Sequence, residues 1–190
     1  RMDYLSAHIN NHACAMVVEK AMQIEVPARA QVVRVIMDEL TRIASHELWW
    51  GAMAMDIGAF TPFFYAFRER EKINEIMEET CGARLTMNYY VPGGLMAELH
   101  PDFQRKVKEF IALFKRKIDE YDELVTGNII FQNRMKGVGI LKPEDAISYG
   151  CTGPTARGSG VSCDIRKLYP YEVYDKVQFE EVLETGCDSL

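Results

Sequence analysis

The chain has 190 residues, of which 48% are hydrophobic and 26% are charged. This length and balance suit one folded domain with a sizeable core, and they exclude a disordered or collagen-like chain. Since 28 acidic residues outnumber 22 basic ones, the net charge of −6 disfavours binding to nucleic acid or to an anionic membrane surface. No segment approaches the roughly 18 to 20 apolar residues that a membrane-spanning helix needs. We therefore expect a single domain over residues 1–190 with no nucleic-acid partner.

Apolar residues at helical spacing predict four long helices. They run from about Asp3 to Ile24, from Ala28 to Gly58, from Thr61 to Cys81 and from His100 to Gly127. Pro27 separates the first two helices, because its ring excludes helix continuation. The polar face of the second helix is predicted to carry Arg34, Asp38 and Arg42.

The remaining segments predict little regular structure. Leu85–Val91 is predicted to be a short strand or an extended loop, since Pro92-Gly93-Gly94 forms a turn after it. Ile129–Met135 and Pro143–Tyr149 are predicted to be short helices, and residues 150–162 a loop rich in Gly, Ser and Thr. The expected fold is mainly α, a helical bundle with minor β structure and a loop-rich C-terminal part.

Five cysteines lie far apart in the sequence: Cys14, Cys81, Cys151, Cys163 and Cys187. An odd number, without a signal peptide, predicts reduced thiols in a cytosolic compartment. Because no Cys-x-x-Cys pair is present, we expect no zinc ribbon, thioredoxin-type site or cluster-binding motif in this segment. The chain starts at Arg1 rather than at Met, and we expect it to be a fragment of a longer polypeptide.

Two local patterns suggest ligand binding, but each has a simpler structural explanation. His8 and His12 lie one helical turn apart, as in two-histidine metal sites. The Glu that would follow the first His in a metalloprotease is Ile9 here, and an isolated pair is more often hydrogen-bonded. The glycine-rich segment 150–160 lacks the Walker and dinucleotide spacings, so we expect it to pack around Arg157. We therefore predict no metal site and no nucleotide site in this chain.

The start of the first helix and the end of the second contain the polar side chains best suited to chemistry. The apolar run Leu48–Met55 predicts a helix that is buried on all sides, and Asp56 follows it. A buried carboxyl group must be paired, hydrogen-bonded or protonated, so Asp56 is either a structural acid or a proton carrier. Tyr4 can donate a proton to a carbonyl or quinone oxygen, while Asp3 and Ser6 can cap the helix.

A dense series of short segments, in order along nearly the whole chain, resembles one known family. The segments are Arg1–Ser6, Ala15–Lys20, Val26–Gln31, Glu39–Ile43, Asp56–Phe64, Arg68–Glu71, Gly82–Arg84, Pro92–Gly94, Gly153-Pro154, Arg157–Val161, Asp164–Lys167 and Pro170-Tyr171. The family is the large quinone-site subunit of respiratory complex I, also known as the forty-nine-kilodalton subunit or the bacterial D subunit. It is similar to the large subunits of nickel-iron hydrogenases, so the resemblance implies their fold. It also implies an N-terminal hairpin before Arg1 and further chain after Leu190.

The hydrogenase relationship has a consequence for metal binding. In hydrogenases the segment that matches residues 1–6 carries two cysteines whose thiolates bind nickel, and here those positions are Asp3 and Ser6. Because a carboxylate and a hydroxyl do not replace soft thiolates, we expect no nickel-iron centre at this position.

The resemblance to complex I implies a quinone site at the same place. In complex I relatives the former metal cavity corresponds to the quinone headgroup pocket, beside a small cluster-bearing subunit. Tyr4 matches the Tyr that hydrogen-bonds a quinone carbonyl, which implies a catalytic role. Arg1, Asp3, Ser6 and Leu48 are implied to line the same pocket, and Leu48 stands where Met is usual.

Two further positions take a role from the resemblance. Asp56 matches an acid that interacts with a quinone-site His in the hairpin, which implies a catalytic rather than a purely structural role. Thr86 stands where many relatives have a His near the terminal iron–sulfur cluster. Since a hydroxyl does not titrate near neutral pH, we expect a weaker pH dependence of that cluster's potential, and a low-potential quinone such as menaquinone.

The function implied by the resemblance is that of a subunit of a proton-translocating NADH:quinone oxidoreductase. Quinone is the expected substrate, while NAD, FMN and the iron–sulfur clusters are expected in other subunits, and the isolated fragment is expected to be inactive. The expected partners are the cluster-bearing small subunit, other hydrophilic subunits and the membrane-arm subunits, in a hetero-oligomer on the cytoplasmic face of a bacterial inner membrane. Two alternatives remain: a related enzyme that uses ferredoxin or a deazaflavin with quinone or phenazine, and a non-catalytic scaffold for the small subunit that bears the cluster.

Overall fold

A computed structural model describes residues 2–190 of the chain. Within it, the chain forms two compact units, the first ending at Tyr121 and the second running from Asp122 to Leu190. Among the described helices, none combines the length and the apolar character needed to cross a membrane.

Four long helices build the first unit, as the apolar spacing predicted. They are α1 (Ala7–Met22), α2 (Ala28–Asp56), α3 (Thr61–Cys81) and α4 (Phe103–Tyr121). The fourth helix ends earlier than predicted, because the next residues form a π-helical turn at Asp122–Thr126. Pro62 lies in the first turn of α3, where its missing N–H leaves no hydrogen bond unmade.

A short hairpin lies between α3 and α4. Strands β1 (Tyr90–Val91) and β2 (Gly94–Leu95) pair antiparallel, with Tyr90 opposite Leu95. Gly93 turns the chain with a φ of 89°, a backbone conformation that favours glycine. The predicted strand is therefore confirmed only for the last two residues of Leu85–Val91.

The core of the first unit is formed by apolar side chains from α1, α2, α3, α4 and the segment around β1. Its buried members include Ala15, Val33, Met37, Leu40, Ile73, Ile76, Met77, Met87, Tyr89, Phe103 and Phe110. Helices α2 and α3 approach each other closely at Gly51, where an added Cβ would lie 3.1 Å from Phe63 Cα and 3.2 Å from Ala66 Cβ. The glycine at position 51 therefore lets these two helices pack tightly.

The prediction that Leu48–Met55 is buried on all sides is wrong for the described chain. Gly51 and Ala54 are buried, but Trp49 is 58% exposed and Asp56 is also exposed. The apolar residues surround the helix, and α3 packs against the side that carries Gly51, while the side that carries Trp49 is exposed. Asp56 is thus an exposed acid and not the buried one that the apolar run suggested.

The second unit contains short helices. They are α5 (Ile129–Met135), α6 (Pro143–Ser148), α7 (Gly153–Gly158) and α8 (Ile165–Leu168), followed by a 3₁₀ turn at Tyr174–Lys176. Helix α7 lies in the segment predicted to be a loop, and Pro154 in its first turn provides the start signal. The hydrogen bond from Arg166, together with the charge of Arg157, holds the pKa of Asp164 at about 2.

Candidate functional site

Asp3 holds the chain that leads into α1. Its Oδ1 accepts a hydrogen bond from the Leu5 amide at 2.7 Å, and its Oδ2 accepts one from Asn10 Nδ2 at 3.0 Å. The carboxylate therefore binds the residues just before α1 to the first turn of that helix. In the described chain Asp3 thus stabilises a turn before α1 and bonds none of the first helical amides, so the helix cap predicted for Asp3 is not formed.

Ser6 has the position of a helix cap but uses its hydroxyl elsewhere. It occupies the N-cap position of α1 without a side-chain hydrogen bond to the helix, so its predicted capping bond is not made. Its Oγ instead shares a 2.8 Å hydrogen bond with Ser45 Oγ, and Ser45 also donates to the Leu5 carbonyl at 3.3 Å. These bonds fasten the segment before α1 onto α2.

Leu48 lies on α2 one helical turn after Ser45, the residue that contacts Ser6. Residues three apart on a helix lie on the same face, one turn from each other. Leu48 is half-buried, three residues after Ser45 on α2. Leu48 therefore lies one helical turn from the Ser45 that holds Ser6, whereas Arg1, predicted to line the same pocket, lies outside the described residues.

Tyr4 stands between the anchored residues Asp3 and Ser6 and is 66% exposed. Its neighbours on both sides are held by hydrogen bonds to Asn10 and Ser45. A phenol presented from a fixed backbone is well suited to donate a hydrogen bond to a ligand oxygen.

Asp56 is not in contact with this group. It ends α2, roughly three helical turns or about 16 Å beyond Ser45, and the helical repeat puts both residues on nearly the same face of α2. Ser45, which holds Ser6, and Asp56 therefore lie on one side of α2, too far apart for their side chains to touch.

Thr86 lies in the loop before β1, which is attached to α1. Asn11 Nδ2 donates to the Met87 carbonyl at 2.6 Å, and Asn11 itself is buried. Thr86 is half-buried beside this contact, and Asn11 is less than two turns from Ser6. The loop of Thr86 and the segment of Tyr4 are thus both fixed to the first half of α1.

A buried polar network behind the site was not predicted. Arg34 and Asp38 were predicted on the polar face of α2, and both are fully buried. Asp38 accepts from Tyr90 Oη at 2.8 Å and lies 2.5 Å from His12 Nδ1, so His12 has a hydrogen-bonded structural role. His8, also fully buried, has no hydrogen-bond partner at either ring nitrogen within the described chain, and burial lowers its pKa to about 4.

Arg34 forms the second part of this network. Its guanidinium donates to both carboxylate oxygens of Glu19, at 2.6 and 3.1 Å, and to the carbonyls of Val91 and Gly94 at 2.9 and 3.0 Å. Burial alone would raise the pKa of Glu19, but the Arg34 hydrogen bond and the Gly93 amide lower it overall. The network joins α1, α2 and the hairpin, so it fixes the helix that carries the candidate site.

The sequence indicated only one part of this network, the shared helix face of His8 and His12. The spacing of His8 and His12 indicated a shared helix face, and that face proved to be the one turned toward Tyr90, whose ring lies 5.2 Å from His8 and 5.1 Å from His12. No group of three or more His, Cys, Asp or Glu side chains within residues 2–190 is arranged to hold a metal ion.

Comparison with known proteins identifies the family of the chain. Residues 56–190 match the family described as "Respiratory-chain NADH dehydrogenase, 49 Kd subunit". The chain belongs to the 49 Kd subunit family. This membership confirms the resemblance that the short segments indicated, over most of the chain.

Individual relatives of the 49 Kd subunit family extend the match to the segment before residue 56. The chain is 60% identical over 188 residues to the C/D subunit of the NADH-quinone oxidoreductase of Bacteroides thetaiotaomicron, covering 99% of this chain and 36% of that protein. It is 47% identical over 190 residues to the corresponding D 2 subunit of Opitutus terrae, covering 100% of this chain and 48% of that protein. It is 49% identical over 180 residues to the D subunit of Bacillus cereus, covering 95% of this chain and 49% of that protein. The chain thus spans between about one third and one half of these relatives.

Proposed function

We propose that this chain forms the quinone-reduction site of an NADH-quinone oxidoreductase, with Tyr4 as the proton donor to the quinone. The observation that carries the proposal is the exposed Tyr4 side chain, which lies between Asp3 and Ser6, two residues held by hydrogen bonds. The relatives named as NADH-quinone oxidoreductase subunits support the reaction class, since they cover nearly the whole chain.

The chemistry proposed for Tyr4 is general acid catalysis. Its phenol would donate a hydrogen bond to one quinone carbonyl oxygen, which gains negative charge when electrons arrive from the cluster of a neighbouring subunit. The phenolic O–H bond would then break, leaving a phenolate, and the proton would form an O–H bond at that carbonyl oxygen. The second proton of the quinol would reach the other oxygen from water or from groups outside this chain. Because Asp3 and Ser6 fix the backbone on both sides, little conformational freedom would be lost when the quinone binds.

Asp56 is proposed to help to return a proton to Tyr4 after Tyr4 has protonated the quinone. An exposed carboxylate exchanges protons readily with water, and Asp56 lies on the same side of α2 as Ser45. The distance of about three turns means that water or groups outside this chain would complete the path. Asp56 would therefore act through other groups and not directly on the quinone.

The proposal includes the setting in a larger assembly. NAD, FMN and the iron–sulfur clusters would be held by other subunits, in a hetero-oligomer on the cytoplasmic face of a bacterial inner membrane. Trp49, Phe60 and Phe64, at and around the α2–α3 connection, are 58%, 63% and 68% exposed. Large exposed aromatic side chains are typical of surfaces that a partner covers, which supports docking of a cluster-bearing subunit in this region.

The test is a Tyr4→Phe variant in the assembled complex. We measure quinone reduction, and in parallel NADH oxidation by an artificial acceptor that bypasses the quinone site. A lost general acid typically lowers the rate by about 10²-fold or more, so quinone reduction should fall by that factor while the bypass rate stays unchanged. Tyr149→Phe is the matched control, because Tyr149 is 80% exposed and has no proposed role.

A wild-type rate of quinone reduction would contradict the proposal, and so would a Tyr4 that bound quinone fails to protect. If Tyr4→Phe reduces quinone at the wild-type rate, Tyr4 is not the donor and a scaffold role for the chain is favoured. If both rates fall together, the variant disturbs assembly, and protection of Tyr4 from chemical modification by bound quinone then decides. Co-purified subunits distinguish NADH from ferredoxin or a deazaflavin as the electron donor.

A further inference from the structure

A second group of charged side chains is buried where α2 packs against α3. Glu47 of α2 is 3% exposed, and Glu69 and Arg70 of α3 are 2% and 8% exposed. Glu47 follows Ser45 by two residues, which turns it by about 200° around the helix axis. The group therefore lies on the opposite side of α2 from Ser6 and outside the candidate quinone site.

The members of this group differ in their pairing. Glu69 accepts a 2.5 Å hydrogen bond from Arg68 Nε, and Arg68 also donates to Glu120 at 3.2 Å. In the part of the chain that the structure describes, neither carboxyl oxygen of Glu47 has a hydrogen-bond partner, nor does Arg70 Nε. An ionised carboxylate without a partner is costly to bury, so the protonated form of Glu47 is favoured.

The surroundings of Glu47 shift the pKa of its carboxyl group in opposite directions. Burial raises the pKa of Glu47 to about 8, the negative charge of Glu69 adds to this rise, and the positive charge of Arg70 opposes it. From α4, Tyr121 faces the same group, since burial and the charges of Glu47 and Glu69 raise the Tyr121 pKa. On α2 the neighbouring His46 is exposed.

We propose that Glu47 is a proton-binding site of this chain, protonated at rest and able to release its proton and pair with Arg70. In the first state the carboxyl O–H bond is intact and Arg70 Nε has no partner. On release that O–H bond breaks, the proton passes to water, the carboxylate keeps the electron pair, and the Arg70 guanidinium turns to donate to it. The two states therefore differ in an ion pair between α2 and α3.

This site is independent of the proposed quinone chemistry. It takes only a proton as its ligand, and it uses Glu47, Glu69 and Arg70 in place of Asp3, Tyr4 and Ser6. Helix α2 carries Glu47 and also Leu48 and Asp56 of the candidate quinone site. A change in the contact between α2 and α3 would therefore act on the helix that holds those two residues. The site would thus make the packing of α2 sensitive to pH in the neutral to alkaline range.

The experiment is infrared spectroscopy of the assembled complex as a function of pH. A protonated carboxyl group has a C=O stretching band that is separate from the bands of carboxylates. We expect such a band at pH 7 that disappears by pH 10, is absent in Glu47→Gln, and is retained in Glu98→Gln. Glu98 is the matched control because its side chain is 80% exposed.

Substitutions of Arg70 and Glu69 test whether these residues interact with Glu47. They also keep the proposal testable if the Glu47→Gln complex does not assemble. Arg70→Gln removes the cation that favours ionised Glu47, so the midpoint of the band's disappearance should move to higher pH, and Arg70→Lys should restore it. Glu69→Gln removes a repelling charge, so the midpoint should move to lower pH. A band that is identical in wild type and Glu47→Gln, or a midpoint unchanged by both neighbouring substitutions, would overturn the proposal. The infrared readout is independent of quinone reduction, so neither proposal's failure implies the other's.

Discussion

Replacing Glu19 by Gln tests how much the buried ion pair with Arg34 contributes to stability. The Glu19 carboxylate balances a guanidinium that is fully buried, through contacts of 2.6 and 3.1 Å. Gln is nearly the same size and keeps hydrogen-bonding atoms, but it removes the negative charge that pairs with Arg34. Removing one partner of a buried pair typically costs about 3 to 5 kcal/mol, so we expect Glu19→Gln to lose that much unfolding free energy.

The matched control is an ion pair of the same length on the surface. Arg29 Nη2 and Glu98 Oε2 are 2.6 Å apart, but their side chains are 69% and 80% exposed. Exposed pairs contribute about 0 to 1 kcal/mol, so Glu98→Gln should change little. The shortest nitrogen–oxygen distance is thereby the same in both pairs while burial differs.

The assay is urea denaturation of the chain, followed by circular dichroism. With a typical urea dependence of about 1 to 3 kcal/mol per M, the Glu19→Gln midpoint should fall by roughly 2 M and the Glu98→Gln midpoint by much less. The double variant Glu19→Met with Arg34→Met should recover part of the loss, because it removes both charges. Equal midpoints for Glu19→Gln and Glu98→Gln would refute the argument that burial of the Arg34 charge sets the cost.

Three more predictions concern residues around the network and the candidate site. The folded-state pKa of His8 lies near 4, below the ordinary 6.5, so the unfolded chain binds the proton first and stability should fall as pH drops from about 6.5 toward 4. The loss of unfolding free energy should approach about 3 kcal/mol. Urea denaturation at pH 7 and at pH 4.5 should show a smaller loss for His8→Phe than for the wild type. Tyr90→Phe removes hydrogen bonds to Asp38 at 2.8 Å and to the Arg34 carbonyl at 3.1 Å, so it should cost about 1 to 3 kcal/mol; an unchanged urea midpoint would contradict this. Under the proposed function, Thr86→His should steepen the pH dependence of the neighbouring cluster's reduction potential between about pH 6 and 8. A redox titration that finds this potential already strongly pH-dependent in the wild type would argue against the prediction.

Helix positions were predictable from the sequence because apolar periodicity and proline are local signals. Pro27, the Thr61-Pro62 pair and the glycine at position 82 set boundaries that the structure confirms to within a few residues. The earlier end of α4 was not predictable, since a π-helical turn keeps a similar apolar spacing.

The burial of individual residues was harder to predict. Arg34 and Asp38 belong by type on an exposed face, and only partners distant in the sequence, Glu19 and Tyr90, make their burial favourable. Conversely, the apolar run before Asp56 suggested a buried acid, but periodicity does not specify which sides of a helix are covered. For the candidate site, the residue types at 3–6 indicated polar chemistry, while the bond between Ser6 and Ser45 required the fold.

The Arg34 network also has a consequence for the order of folding. Arg34 donates to carbonyls that lie 57 and 60 residues further along the chain, so its hydrogen bonds wait for closure of a long loop. Helices α1 and α2 can form locally, but a guanidinium between them stays hydrated until the hairpin arrives. Docking of residues 90–95 is therefore the step that expels water from the helix pair. We expect the amide of Gly93, which donates to Glu19 Oε1 at 2.8 Å, to gain hydrogen-exchange protection after the amides within α1 and α2.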